Sequence, residues 1–150
     1  MRLFIYADNL HPGQLKRRAP EHKFLFKACL NDHTIHFPRF SSQWRCGLAS
    51  ITPSQGERVW GVVCELTDED LKIVDAFDGE VLEGAFRHLE ATVVTDDDRK
   101  ELVTTHVANP IGKFRVKDNY IDFIIKGVKH WELPEECLAM WERFRPGTAT

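Results

Sequence analysis

Asp8 and Asn9 set a carboxylate and an amide between the apolar run Leu3-Phe4-Ile5-Tyr6 and the turn pair Pro12-Gly13. Short polar side chains at the end of a buried strand close an Asx-type turn, cap a helix running to Arg18, or meet a ligand. Other residue types that do chemistry are more easily set aside. His33 and His36 are potential metal ligands, but on a strand that spacing points them to opposite faces, and no H-E-x-x-H run or paired cysteine completes a site. No metal is therefore expected. Cys29, Cys46, Cys64 and Cys137 have no C-x-x-C spacing and read as reduced core or near-core thiols. Asp96-Asp97-Asp98 lacks the spacing of a calcium loop and reads as a solvated hairpin tip. Lys16-Arg17-Arg18, the only dense basic run, reads as a solvated helix face.

The elements that must position these groups follow from length and periodicity. A chain of 150 residues fits one domain, 1–150, able to bury roughly 70% of its unfolded surface. With 43% hydrophobic residues, 29% charged residues and a net charge of −3, it carries no electrostatic footprint for nucleic acid or anionic lipid. The N-terminal apolar run is too short for a signal-peptide core and no stretch reaches the length of a membrane span, so the expected location is cytoplasmic, with neither a nucleic-acid nor a membrane partner. Residues 3–6 suit a buried strand, residues 23–37 one or two half-buried strands, and residues 38–42 a loop. Residues 58–66 are rich in β-branched and aromatic types, with Gly61 marking a bulge or a close backbone approach. Thr67 before Asp68-Glu69-Asp70 starts a helix whose apolar face is Leu71, Val74 and Phe77 and which ends by Gly79. Residues 85–95 and 100–108 make a hairpin; Tyr120, Phe123, Ile124, Gly127, Val128 and Trp131 share one helical face, and Leu133-Pro134 separates it from a last helix. Strands early and helices late predict α+β.

Several fragments in order carry a resemblance. Tyr6-Ala7-Asp8-Asn9-Leu10 resembles the Y-G-S-N-L loop of the γ-glutamylcyclotransferase-like superfamily. Gly47-Leu48-Ala49-Ser50-Ile51 and Val59-Trp60-Gly61-Val62-Val63 are similar to its G-x-A-x-I and V-W-G-V-V strands. Val74-Asp75-Ala76-Phe77-Asp78-Gly79 is similar to its L-D-x-x-E-G element, and Tyr120, Gly127 and Leu133-Pro134 match its C-terminal positions. The resemblance implies a mixed β-barrel with surrounding helices and a transferase/lyase-type enzyme without a cofactor. Such an enzyme cyclises a γ-glutamyl amide or amine to 5-oxoproline and releases the amine or amino acid.

By that resemblance, Tyr6, Ala7, Asp8, Asn9, Leu10, Phe86 and Tyr120 contact substrate, and the family's proton-carrying glutamate falls on Asp78. Aspartate withdraws the carboxylate by roughly 1.5 Å. Glu80 is the alternative and Glu83 a weaker substitute; Asp78 ranks first because the Asp-Gly pair keeps the motif's register. Ala7 and Asp8 replace the family's glycine and serine, and Phe86 lacks a hydroxyl that relatives often carry there. These departures leave open a second reading, a small-molecule-binding module on the same scaffold that has lost turnover. A structural interaction protein that uses its C-terminal helical face is a third. The sequence leaves the oligomeric state and the substrate's leaving group open.

Overall fold

The computed structural model describes residues 1–80 and 84–147, and only the backbone of residues 79 and 80. Among these, five strands close into a barrel: β1 (Arg2–Ile5), β2 (Lys23–Ser41), β3 (Cys46–Glu65), β4 (Phe86–Thr95) and β5 (Lys100–Ala108), in spatial order β1-β3-β2-β4-β5. The seam is a short parallel pairing of β1 with β5, Leu3 opposite Thr104 and Phe4 opposite Thr105. Leu3, Phe4 and Ile5 point to alternate faces of β1 and are all buried, so both faces of the strand are covered and its sequence runs apolar without alternating.

β2 and β3 form one long hairpin, where the sequence suggested shorter strands broken by a loop at residues 38–42. Pro38, which has no N–H to give a ladder, is carried at a register shift between His36 and Arg39. A second irregularity pairs Asn31 with Arg58 and His33 with Pro53, so the longer β3 side bulges outward. Gly56 takes φ 84° there and donates its N–H to Asp32 Oδ1 at 3.0 Å. The hairpin expected at residues 85–108 is β4 and β5, in register from Phe86 opposite Ala108 to Val94 opposite Lys100.

Helices α1 (Pro12–Arg18), α2 (Asp68–Asp75), α3 (Asp118–His130) and α4 (Glu135–Arg143) complete the α+β architecture. Thr67 caps α2 as expected, its Oγ1 accepting the Asp70 N–H at 3.1 Å. Of the roles open to Asp8 and Asn9, capping α1 is not the one they take. They form a short 3₁₀ turn (Asp8–Leu10), and His11 Nδ1 accepts the N–H groups of Gly13 and Gln14 at 3.1 and 3.3 Å. Phe77 also departs from its expected place. The chain widens into a π-type turn, Ala76–Glu80, directly after α2. That widening breaks the three-residue spacing, so Leu71 and Val74 face the core while Phe77 stands 58% exposed.

Two glycines bring the functional loop into place. A Cβ on Gly61 would lie 2.2 Å from the carbonyl oxygen of Ile5, so β3 can approach the end of β1 only without one. A Cβ on Gly127 would lie 2.3 Å from the carbonyl carbon of Leu10, which lets α3 press directly on the 3₁₀ turn. Leu10 is wholly buried, and its carbonyl accepts the Trp131 Nε1–H at 2.9 Å. All four cysteines are buried free thiols.

Candidate active site

The end of β1, the 3₁₀ turn, Arg18 of α1 and the π-type turn after α2 enclose a cleft lined by Tyr6, Ala7, Asp8, Asn9, Arg18, Trp44, Phe77, Asp78, Phe86 and His106. Asn9 is its hub. The side-chain Nδ2 donates to Asp78 Oδ2 at 2.9 Å, while Oδ1 accepts from Gln14 Nε2 and Arg18 Nη1, both at 2.9 Å. Both ends of the amide are therefore used, and its orientation is fixed by its partners.

Asp8 faces inward and meets a cation. Its Oδ2 accepts from Gln14 Nε2 at 2.8 Å and lies 3.8 Å from Arg18 Nη1; Oδ1 accepts from the Tyr120 hydroxyl at 3.4 Å. Burial and the nearby Asp78 push the Asp8 carboxyl above its ordinary range, against the pull of Arg18 and Gln14. Arg18 also lies 3.5 Å from Asp78 Oδ1, and its guanidinium stacks 4.3 Å above the Phe77 ring. Only part of the basic run is a solvated face: Lys16 and Arg17 are exposed, whereas Arg18 turns inward between two carboxylates.

His106, on β5, closes the other side. Tyr6 donates its hydroxyl to the His106 carbonyl at 2.7 Å, locking the end of β1 to β5. The ring sits between two aspartates three residues apart: Nε2 is 2.6 Å from Asp75 Oδ1, and Nδ1 is 3.3 Å from Asp78 Oδ2. Burial disfavours the imidazolium, but the two carboxylates outweigh it and raise His106 to about 9. Hydrogen bonds from His106 and His88 outweigh the effect of burial on Asp75 and hold its carboxyl below the ordinary range.

The His106 linkage has a definite sign. Folding raises this pKa from about 6.5 to about 9, so its stabilisation is complete below pH ~6.5 and disappears as pH rises through 9. The full effect is ~3 kcal/mol. Urea unfolding of chelator-treated protein at pH 6 and pH 9.5 measures it; His106→Gln should flatten the difference, and an equally steep loss in that variant would remove the assignment.

The remaining site residues occupy distinct places. Ala7 has φ −126°, so its methyl meets no left-handed backbone requirement. Phe86 lines the cleft at the start of β4. Tyr120 is wholly buried behind the loop, its hydroxyl accepting the Ala49 N–H at 3.1 Å as well as donating to Asp8, and Leu10 is a buried anchor. Both support the loop from outside the cleft lining. The Glu80 side chain and all of Glu83 lie outside the described residues. Arg18 reads in the sequence as a solvated cation, and Gln14, Asp75 and His106 carry no site reading there; the available signal for Asp75 is its position three residues before Asp78, on the same side of a helical turn.

The family model described as AIG2-like matches residues 58–140. The γ-glutamylcyclotransferase of Mus musculus is 28% identical over 137 residues, covering 89% of this chain and 72% of that protein. The Homo sapiens γ-glutamylcyclotransferase is 26% identical, covering 98% and 80%. A solved γ-glutamyl cyclotransferase structure superposes with a TM-score of 0.90 at 26% identity, over all of this chain and 90% of the other. By matched sequence and by barrel, the chain belongs to the AIG2-like family, within the γ-glutamylcyclotransferase-like superfamily.

Proposed function

We propose that this protein cyclises the γ-glutamyl group of a small γ-glutamyl amide or amine to 5-oxoproline, releasing the amine or amino acid, with Asp78 as the proton carrier. The observation that carries this reading is the convergence of a carboxylate from the turn after α2 on the loop at the end of β1. Asp78 Oδ2 lies 2.9 Å from Asn9 Nδ2, across 69 residues of chain. Homologues named γ-glutamylcyclotransferase support the reaction class.

In this scheme the substrate's α-ammonium enters beside Asp78. Three carboxylates, Asp8, Asp75 and Asp78, face two cations, Arg18 and the His106 imidazolium, so the site carries one negative charge in excess, which the ammonium offsets. Asp78 takes a proton, and the freed amine attacks the γ-carbonyl carbon. The new C–N bond closes the five-membered ring with one proton too many on its nitrogen; as the oxyanion collapses and the old C–N bond breaks, Asp78 returns the first proton to the leaving nitrogen, then takes the surplus proton from the ring nitrogen and passes it to the released amine, which departs as an ammonium and leaves the neutral lactam. The N–H groups of Asp8 and Asn9, which open the 3₁₀ turn and have no partner within it, are the donors offered to the developing oxyanion. Phe77, Trp44 and Phe86 supply apolar walls for the glutamyl methylenes. Both reacting groups belong to one molecule, so a curled pose is much of the rate enhancement.

A second reading, ligand binding without turnover, has its own observation. Asn9, Arg18 and His106 all address Asp78, which must give up one of these contacts to accept a proton. A panel of γ-glutamyl compounds separates the two. Stoichiometric release of 5-oxoproline with the matching amine establishes turnover, whereas saturable binding of an intact compound without product establishes the binding module.

A further inference from the structure

Behind the cleft, on the far side of the His106 ring, we infer a binding site for a first-row divalent cation, Zn²⁺ foremost, formed by Asp75, His88 and His106. His88 and His106 are direct cross-strand partners in the β4–β5 ladder, so their imidazoles project from the same face of the sheet. Asp75 arrives over them from the last turn of α2. Its Oδ1 lies 2.6 Å from His106 Nε2 and 2.9 Å from His88 Nε2, and one ligand atom from each of the three residues lies within 4.8 Å of the others. A tetrahedral Zn²⁺ with bonds of about 2.0–2.1 Å needs its ligand atoms about 3.3 Å apart, which shifts of under ~1 Å in these side chains provide. The three ligands open onto a cleft of their own, lined also by Phe86 and Arg87, which leaves room for water at the fourth position. His88, 40% exposed, stands at its mouth, while Asp75 and His106 are nearly enclosed.

The outer contacts fit a metal ligand. A histidine that binds a cation through one ring nitrogen ordinarily donates its other N–H to a carboxylate, which fixes the ring and its tautomer. His106 already has that arrangement, with Nδ1 against Asp78 Oδ2 and Nε2 turned to the proposed site. The ion displaces the Nε2 protons now shared with Asp75 Oδ1, and His106 keeps its Nδ1 proton for Asp78. Two imidazoles and one carboxylate suit Zn²⁺, Ni²⁺, Cu²⁺ or Co²⁺, not the all-oxygen shells of Mg²⁺ or Ca²⁺. Since Asp78 is shared between this shell and the substrate cleft, an occupied site holds it in place and inhibits turnover. That inhibition rests on Asp78 being the proton carrier; the binding does not.

The test uses the full chain stripped with a chelator and titrated with Co²⁺, whose visible absorption reports low-coordinate histidine ligation. One Co²⁺ per chain, displaced by Zn²⁺ and unaffected by Mg²⁺, is the expected result. His88→Gln should weaken binding beyond the ~10–100-fold that loss of an outer partner brings, and Asp78→Asn by about that amount. Zn²⁺ should inhibit 5-oxoproline release by the wild type and spare His88→Gln, whose metal-free turnover is unchanged. Equal Co²⁺ binding by wild type and His88→Gln, or no stoichiometric spectrum from the wild type, overturns the site whether or not the protein turns over any γ-glutamyl compound.

Discussion

In the proposed reaction, Asp78→Asn should lower kcat for 5-oxoproline release by about 10²–10⁴-fold, the range that a positioned acid–base group contributes, while the protein remains folded. The asparagine has the same shape and its Oδ1 can still accept from Asn9 Nδ2, so the hub that seats the loop survives. What disappears is the only group in the scheme able to take a proton from the α-ammonium and return it to the leaving nitrogen. The substrate ammonium also loses a counter-charge, so KM should rise as kcat falls. The measurement is the steady-state rate with the best compound of the panel, beside a circular-dichroism melt. A loss smaller than about tenfold, with the melt unchanged, removes Asp78 from the role, and Glu80→Gln then tests the alternative carboxylate.

Replacing Arg18 by methionine should cost ~3–5 kcal/mol of stability, the usual consequence of removing one member of a buried ionic cluster. The guanidinium is almost fully enclosed and stands 3.8 Å from Asp8, 3.5 Å from Asp78 and 2.9 Å from Asn9 Oδ1. Methionine fills comparable space but leaves two carboxylates facing each other with their shared cation gone, and Phe77 loses the charge stacked on its ring. Urea unfolding measures the loss. Adding Asp8→Asn to Arg18→Met should recover part of it, with a coupling of ~0.5–3 kcal/mol. Strictly additive effects would mean that Arg18 and Asp8 do not couple, leaving Asp78, Asn9 and Phe77 as the partners behind the loss.

The barrel was largely legible because its signals are local. Thr67 with three acids behind it announces a helix start, β-branched runs announce strands, and a glycine within such a run marks where another backbone presses close, as Gly61 does against Ile5. Legibility failed where a neighbour distant in sequence decides the outcome. Residues 38–42 continue β2 because β3 pairs with them, and the register shift at Pro38 absorbs the missing donor. Phe77 leaves the core because the turn after α2 widens, which no residue spacing announces. The site divides in the same way. Asp78 and residues 6–9 are singled out by collinear motifs, and the structure brings them to one cleft. Arg18 looked like one of three solvated cations, and His106 like an ordinary strand residue, because their partners lie on other elements.

The split between near and distant contacts sets an order of assembly. Asp8, Asn9, Gln14 and Arg18 lie within eleven consecutive residues and can meet as soon as α1 forms. Asp78 enters from 69 residues away, and the Tyr6–His106 bond spans 100. Such long-range pairings are among the last to form, since the intervening chain must first be immobilised. In a refolding experiment, helical signal should therefore recover ahead of the proposed turnover, with a lag no shorter than the slower of two closures, the arrival of Asp78 at Asn9 and the docking of the fifth strand along the first. On the proposed function, the return of turnover marks the moment when both distant contacts of the site have closed.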